Sequence, residues 1–192
     1  MLDFEPIDWN EDIDLAAVRA GIDKDAMVRG VFFDSAIKLA KRQANKSLGR
    51  GQYSALRNYP ALELVEVLVE CAQLVYPKQS LRQALRLIGQ QVFVNLLDIP
   101  AATFMFSVAG RDAKKIFKLI ERAYKLFSSG ATTSLREEDD AMIVVMRKHW
   151  LFADSYHCGI FEGAIRANEA DAEIAVRRYS LCDVDIRIKI KS

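Results

Sequence analysis

The chain has 192 residues, a formal net charge of +1, 51% hydrophobic and 28% charged residues. That length suits one domain with a substantial core, and the composition excludes a disordered chain. It also excludes the global basic field that marks many nucleic-acid binders, and the longest apolar runs fall far below a membrane span.

Residues 1–26 are expected to form an N-terminal arm with one short element. The first twelve are acidic and carry Pro6 and Trp9. Trp9 is expected to pack the arm on the body, with a partner contact as the alternative. Asp3, Glu5 and Asp8 stand where a signal peptide would need positive charge, so none is expected. Leu15, Val18 and Ile22 fit a short helix or a strand with a turn.

Residues 27–192 are expected to form one α+β domain, helical over 27–130 and sheet-bearing over 131–192. Val31, Phe32 and Phe33 make a concentrated apolar block after Gly30. Asp34 or Ser35 is expected to cap a helix running through Ile37 and Leu39 toward Ala44. Residues 45–51, with Gly49 and Gly51, end it. Residues 52–60 read as a loop pinned by Tyr53 and Tyr59.

Ala61–Val75 is an amphipathic helix in which Leu64, Val67, Leu68, Cys71 and Val75 recur at threes and fours. Tyr76-Pro77 stops it. Ser80 caps the next helix, whose stripe runs from Leu81 and Leu85 through Ile88, Val92 and Phe93 to Leu97. Gly89 inside that stripe costs about 1 kcal/mol of helix propensity, so close helix packing is expected there. Pro100 restarts a helical segment that continues to Gly110. Asp112 then caps a helix whose face is Ile116, Phe117, Leu119, Ile120, Ala123, Tyr124 and Phe127.

After Gly130 the pattern changes. Residues 131–136 and Met142 to Met146 read as a hairpin with Glu137 to Asp140 at its tip. Asp154 or Ser155 is expected to cap a helix running through Ala167. Residues 173–179 and 184–190 follow as a second hairpin. The last run, Val184-Asp185-Ile186-Arg187-Ile188-Lys189-Ile190, alternates strictly, as a strand with one buried face does. The fold class is therefore α+β, a helical block packed on an antiparallel sheet of about four strands with one inserted helix.

Several residues are candidates for chemistry. His157, Cys158 and Cys182, with Asp183 or Glu162, would be the nearest thing to a metal set, but the paired-cysteine spacing of a zinc site is absent. Buried thiols and a satisfied histidine are the favoured reading. A cysteine–histidine nucleophile is disfavoured because sequence neighbours on a helix do not face each other. No catalytic, metal or cofactor set is assigned. Gly159 and Gly163 share a helix face and are read as a packing seam, with a shallow ligand floor as the alternative. Phe32, Phe33, Phe93, Phe104, Phe106, Phe117 and Phe161 are read mainly as core. If a pocket exists, Phe104, Tyr124, Tyr156, His157 and Phe161 are the residues expected to bind its ligand. Lys38, Lys41, Arg42, Lys46, Arg50 and Arg57 form one basic cluster, and Lys114, Lys115, Lys118, Arg122 and Lys125 a second. Both are read as solvated helix faces. Arg177, Arg178, Arg187, Lys189 and Lys191 are expected to form a basic outer sheet face suited to an acidic partner or a dimer mate.

Tyr156 to Ile190, together with Gly30-Val31-Phe32-Phe33, Tyr59-Pro60, Tyr76-Pro77 and Gly89, resemble an uncharacterised family of similar length. That family is multiplied as paralogues in myxobacteria and other predatory bacteria. More distantly, His157-Cys158-Gly159, Glu162-Gly163 and Cys182 are similar to the four-vinyl-reductase domain. That domain shares its fold with the haem nitric-oxide-binding domain and the transport-protein-particle subunits. The resemblance implies a protein that binds a small hydrophobic molecule, haem or a protein partner. The haem version needs an axial histidine on the helix at 112–127, and this sequence has none there, so the likeness argues against haem unless His149 or His157 serves in an unusual place. The expected function is a non-enzymatic sensory or adaptor module in a reducing cytoplasm, binding a small apolar or mixed-polarity ligand, a protein partner, or both. The alternatives are a homodimeric interaction module without ligand, or a small metal- or nucleotide-binding regulator.

Overall fold

The computed structural model describes residues 2–96, 113–127 and 129–191. The helices are α1 (Leu15–Gly21), α2 (Val31–Ala44), α3 (Ala61–Val75), α4 (Leu81–Leu96), α5 (Ala113–Phe127) and α6 (Tyr156–Ala167). The strands are β1 (Glu5–Pro6), β2 (Met27–Arg29), β3 (Asn58–Pro60), β4 (Thr132–Glu138), β5 (Ala141–Arg147), β6 (Asp171–Arg178) and β7 (Val184–Lys191). The helical segment expected from Pro100 to Gly110, with Phe104 and Phe106, lies outside the described residues. Among the described residues no helix is long and apolar enough to cross a membrane.

The class is α+β, but the main sheet has five strands rather than about four, in the order β1-β6-β7-β5-β4. The added strand comes from the N-terminal arm, where Glu5 and Pro6 pair antiparallel with Val176 and Ala175 of β6. Proline suits an edge strand because its missing N–H is not needed by a further neighbour. A separate two-stranded ladder joins β2 to β3, with Val28 opposite Tyr59. The segment expected to be a plain loop thus carries a short strand. Tyr53 and Tyr59 are buried as expected, with Tyr53 stacked on Phe33 at 3.9 Å between ring centroids.

That ladder also explains where α2 begins. The expected cap at Asp34 or Ser35 is not used. The helix starts at Val31, because Gly30 and Val31 donate their N–H groups to the carbonyls of Arg57 and Ala55 at 3.0 and 3.2 Å. A Cβ on Gly30 would stand 2.2 Å from the Ser54 carbonyl oxygen, so the close approach needs glycine. Asn45 ends the helix in the left-handed region at φ 50°.

Two apolar cores result. One lies among α1, α2, α3 and α4 and centres on Phe33, Leu64, Leu68, Cys71, Leu85 and Ile88. The other lies under the inner sheet face, where Met142, Val144, Met146, Val176, Ile186 and Ile188 meet Phe117, Tyr124 and Phe161. Helix α6 serves both. Tyr156 and Ile160 enter the first core, while Cys158, Phe161, Ala164 and Ile165 enter the second. From Tyr156 to Ile165 every residue but Glu162 is buried. A helix apolar on all sides belongs in an interior. Its third side is the glycine face, set against α4. Neither expected side-chain cap forms at its start: Ser155 occupies the cap position without a capping bond, and Asp154 is drawn away to Arg82 and Arg178, each at 2.6 Å.

The outer sheet face is organised by one buried carboxylate. Asp185 accepts Arg147 Nη2 at 2.8 Å, Arg177 Nη2 at 3.0 Å and the Tyr179 hydroxyl at 3.1 Å. Burial pushes its pKa up, but those hydrogen bonds together outweigh it and hold the group below the usual carboxylate range. Asp185→Asn should therefore cost about 2 kcal/mol in urea denaturation at pH 7, the loss of charged acceptors for two guanidiniums. An unchanged midpoint would mean that the arginines are held without it. Arg178 does not join this face, contrary to expectation. Adjacent strand residues point to opposite sides, and Arg178 turns to Glu11 at 2.8 Å and Asp154.

Candidate functional site

The candidate site lies where α5, α6 and the β4–β5 hairpin meet the helical block. β4 runs with Thr133 on the same side as Leu135, facing inward. β5 ends at Arg147, and the chain then turns with Lys148 at φ 58°, which carries His149 back under the sheet. His149 is anchored by its N–H to the Cys182 carbonyl at 2.8 Å. Its Nε2 lies 2.8 Å from the Thr133 hydroxyl. The His157 ring stands 5.2 Å away, centroid to centroid and edge-on. His157 Nδ1 is hydrogen-bonded to the hydroxyl of Tyr124, which α5 supplies.

This polar chain is wrapped in rings. Tyr124 lies 6.2 Å from Phe161 and 6.4 Å from Phe32, and Tyr156 lies 5.5 Å from His157. Tyr156 donates its hydroxyl to the Phe32 carbonyl at 3.3 Å, tying α6 to the first turn of α2. Of the residues expected to bind a ligand, Tyr124, Tyr156, His157 and Phe161 come together here. Phe104 is outside the described residues. Sequence reasoning does not single out His149 and Thr133 for this cluster. The alternation of β4 places Thr133 inward, but nothing local pairs it with a histidine sixteen positions on.

Both imidazoles are held neutral. Burial pulls His149 down to about 4, against the opposing pull of a Thr132 backbone hydrogen bond and the Asp183 carboxylate. Burial and the neighbouring His149 push His157 far below the ordinary histidine value. Burial likewise drives Tyr124 well above the usual tyrosine range, so its hydroxyl stays protonated. Among the described residues, His157 Nε2 is buried with no hydrogen-bond partner. Whichever tautomer holds, one ring nitrogen is thus left unpaired, at a cost of about 1–3 kcal/mol. Beside His149 a cleft of about 30 Å³, lined by Ile22, Val28, Ala61, Ser129 and Trp150, has room for about one water.

The residues that come nearest to a metal set, His157, Cys158 and Cys182 with Asp183 or Glu162, do not converge. Among the described residues no group of three histidine, cysteine or acidic side chains could hold an ion. Cys158 directs its thiol to the Ala153 carbonyl at 3.8 Å, Cys182 sits with Ser180 Oγ at 3.4 Å, and Glu162 is committed to Arg86 and Gln90. Burial raises the Cys158 thiol well above its usual range, which opposes thiolate chemistry.

Haem fits these residues poorly. The chain has two histidines, neither on α5; Thr133 bonds His149 at Nε2, while Tyr124 bonds His157 only at Nδ1. Phe117, Tyr124 and Phe161 fill the space below α5 with ring centroids about 6 Å apart. The basic cluster around α2 is partly neutralised, with Arg50 forked onto Glu63 at 2.7 and 2.9 Å.

The family described as "Protein of unknown function (DUF2378)" matches residues 23–189. No match is found among curated proteins. Several solved H-NOX structures are similar in fold. An Fe(II) unliganded H-NOX mutant from K. algicida has a TM-score of 0.65 at 14% identity, covering 85% of this chain and 97% of that one. An H-NOX protein from S. oneidensis in the Fe(II)NO state scores 0.64 at 13% identity, covering 85% of this chain and 99% of that one. A double mutant of the Tt H-NOX protein scores 0.64 at 14% identity, over 85% of this chain and 95% of that one. At such identities the likeness is one of fold.

Proposed function

The chain belongs to the DUF2378 family, and we propose that it is a non-enzymatic sensory or adaptor module. In this reading it holds a small ligand of mixed polarity between its helical and sheet parts and reports occupancy to a partner. The observation that carries it is His157 Nε2, buried and, among the described residues, unpartnered beside the rings of Phe32, Tyr124, Tyr156 and Phe161. A small polar group offered to that nitrogen would recover the hydrogen bond the fold leaves unmade. Phe104 enters the proposal from the sequence alone. The proposed ligand is not a haem, since the axial histidine is missing and the rings occupy the space. A reducing cytoplasm is the proposed setting, in keeping with three free, buried cysteines.

α6 is the element suited to report occupancy. It lines the cage with Tyr156, His157 and Phe161 and locks onto α4 through its glycines, so displacement at one end is carried along a rigid body. The test is native mass spectrometry of protein purified from its source, against the same sample denatured. A small-molecule mass present only in the native spectrum, and lost in His157→Phe, is expected. Identical native and denatured masses for the wild-type protein would end this reading.

A further inference from the structure

The outward face of the five-stranded sheet carries cations that the fold does not fully neutralise. Two rows of residues cross it in register. One runs Arg136, Ile143, Arg187, Ala175 and Pro6, from β4 through β5, β7 and β6 to β1. The next runs Ser134, Val145, Asp185 and Arg177. The second row satisfies itself through Asp185.

The first row does not. Arg136 stands at the far limit of ion pairing, 3.8 Å from Glu138 and 4.0 Å from Asp185. Arg187 lies 5.0 Å from the Phe4 ring centroid and has no ion-paired carboxylate among the described residues. Ile143 points outward between them yet is 0% exposed. Strands two apart place the Arg136 and Arg187 backbones about 10 Å from each other, and alternate residues of an extended chain repeat at about 7 Å. Flexible guanidiniums can meet alternate carboxylates at that spacing. Exposed Leu2, whose carbonyl accepts Arg177 of the second row, offers apolar contact.

We propose that this face docks an extended acidic segment of a partner protein. The claim builds on the adaptor reading by naming the partner's chemistry, and it concerns the face opposite the ligand cage. A nucleic acid suits the face less well. Lys189 is taken by Asp140 at 2.5 Å and Lys191 by Asp171 at 3.0 Å, so the uncommitted charge is confined, among the described residues of this face, to Arg136 and Arg187, too few for the string of phosphate contacts on which nucleic-acid affinity rests. The Phe4 and Tyr179 rings are also already covered, by Arg177 at 4.2 Å and Arg147 at 4.8 Å, which removes them as stacking platforms.

The probe is a short fluorescein-labelled peptide of alternating glutamate and valine, titrated against the full chain by fluorescence anisotropy. Saturable binding that weakens with salt is expected. Arg136→Glu with Arg187→Glu should weaken it about tenfold or more. Arg136→Gln with Arg187→Gln should also weaken it while melting like wild type, since neither residue holds Asp185 closely. Equal binding of a glutamine–valine peptide, or indifference to both double variants, would overturn the proposal. So would binding of oligothymidylate without the acidic peptide, or self-association abolished by the same substitutions. Peptide binding is read separately from the retained mass, so either reading can fail alone.

Discussion

Gly159→Val should lower the unfolding free energy by on the order of 4 kcal/mol, and Gly159→Ala by about half as much. A Cβ at Gly159 would stand 2.1 Å from the Arg86 carbonyl oxygen of α4. At Gly163 it would stand 2.4 Å from the Gln90 carbonyl, and at Gly89 2.1 Å from the Tyr156 carbonyl. Each obstacle is backbone, so no rotamer change relieves it and the helices must part. Alanine's helix propensity favours the substitution by about 1 kcal/mol. If α4 and α6 were not in backbone contact, Gly159→Ala would therefore stabilise the protein. Parting them also loosens the fork of Arg86 Nε and Nη2 on Glu162, both at 2.7 Å, and the Gln90 bond to Glu162 at 2.8 Å. The expected result is a lower urea midpoint with an unchanged slope. Gly130 is the comparison: among the described residues no atom beyond its chain neighbours lies within 4 Å of its Cβ position, and only its φ of 81° resists a side chain. A Gly159→Ala midpoint at or above wild type would refute the packing.

That seam was legible in the sequence because glycines four apart on an apolar helix have few other uses. The stripe of Leu64, Val67, Leu68 and Cys71 was equally plain, and all four are buried. The unread parts are those set by distant backbone. Glu5 and Pro6 become a strand only because β6 offers an open edge, and two residues carry no period. The start of α2 answers to carbonyls of Ala55 and Arg57 that no local pattern reveals. Tyr124 and His157 each read as polar groups near a pocket, but their bond spans 33 positions and two elements. His149 reads in the sequence only as an unusual place for a haem ligand, and nothing local sets it beside Thr133 and His157, since it follows the hairpin in a turn. Arg178 is a different case. The alternation that placed Asp185 and Arg187 on one face also separates Arg177 from Arg178, and grouping them by charge hid this.

Between pH 6.5 and 4 the folded chain should lose about 3 kcal/mol from His149 alone, with His157 adding in the same direction. An unfolded histidine takes its proton near pH 6.5, at about its ordinary value, whereas folded His149 waits until about 4. Within that window the unfolded state binds more protons, so stability rises with pH and levels off above the window. Carboxylates with lowered pKa, such as Asp185, Glu63 and Glu66, begin to lose their contribution only below about pH 5. Urea denaturation at pH 7 and at pH 5 therefore isolates the histidines. A His149→Gln, His157→Phe chain should show nearly equal stability at the two values, while wild type falls. Equal wild-type values would mean that the imidazoles reach water in the folded state. The same measurement bears on the cage. A molecule that hydrogen-bonds neutral His157 at Nε2 binds the folded, unprotonated form alone, so it adds stability at pH 7 and opposes protonation of that ring on acidification. Protein that retains such a molecule should then begin its acid loss at lower pH than protein stripped of it, and the His157→Phe chain should show no such difference.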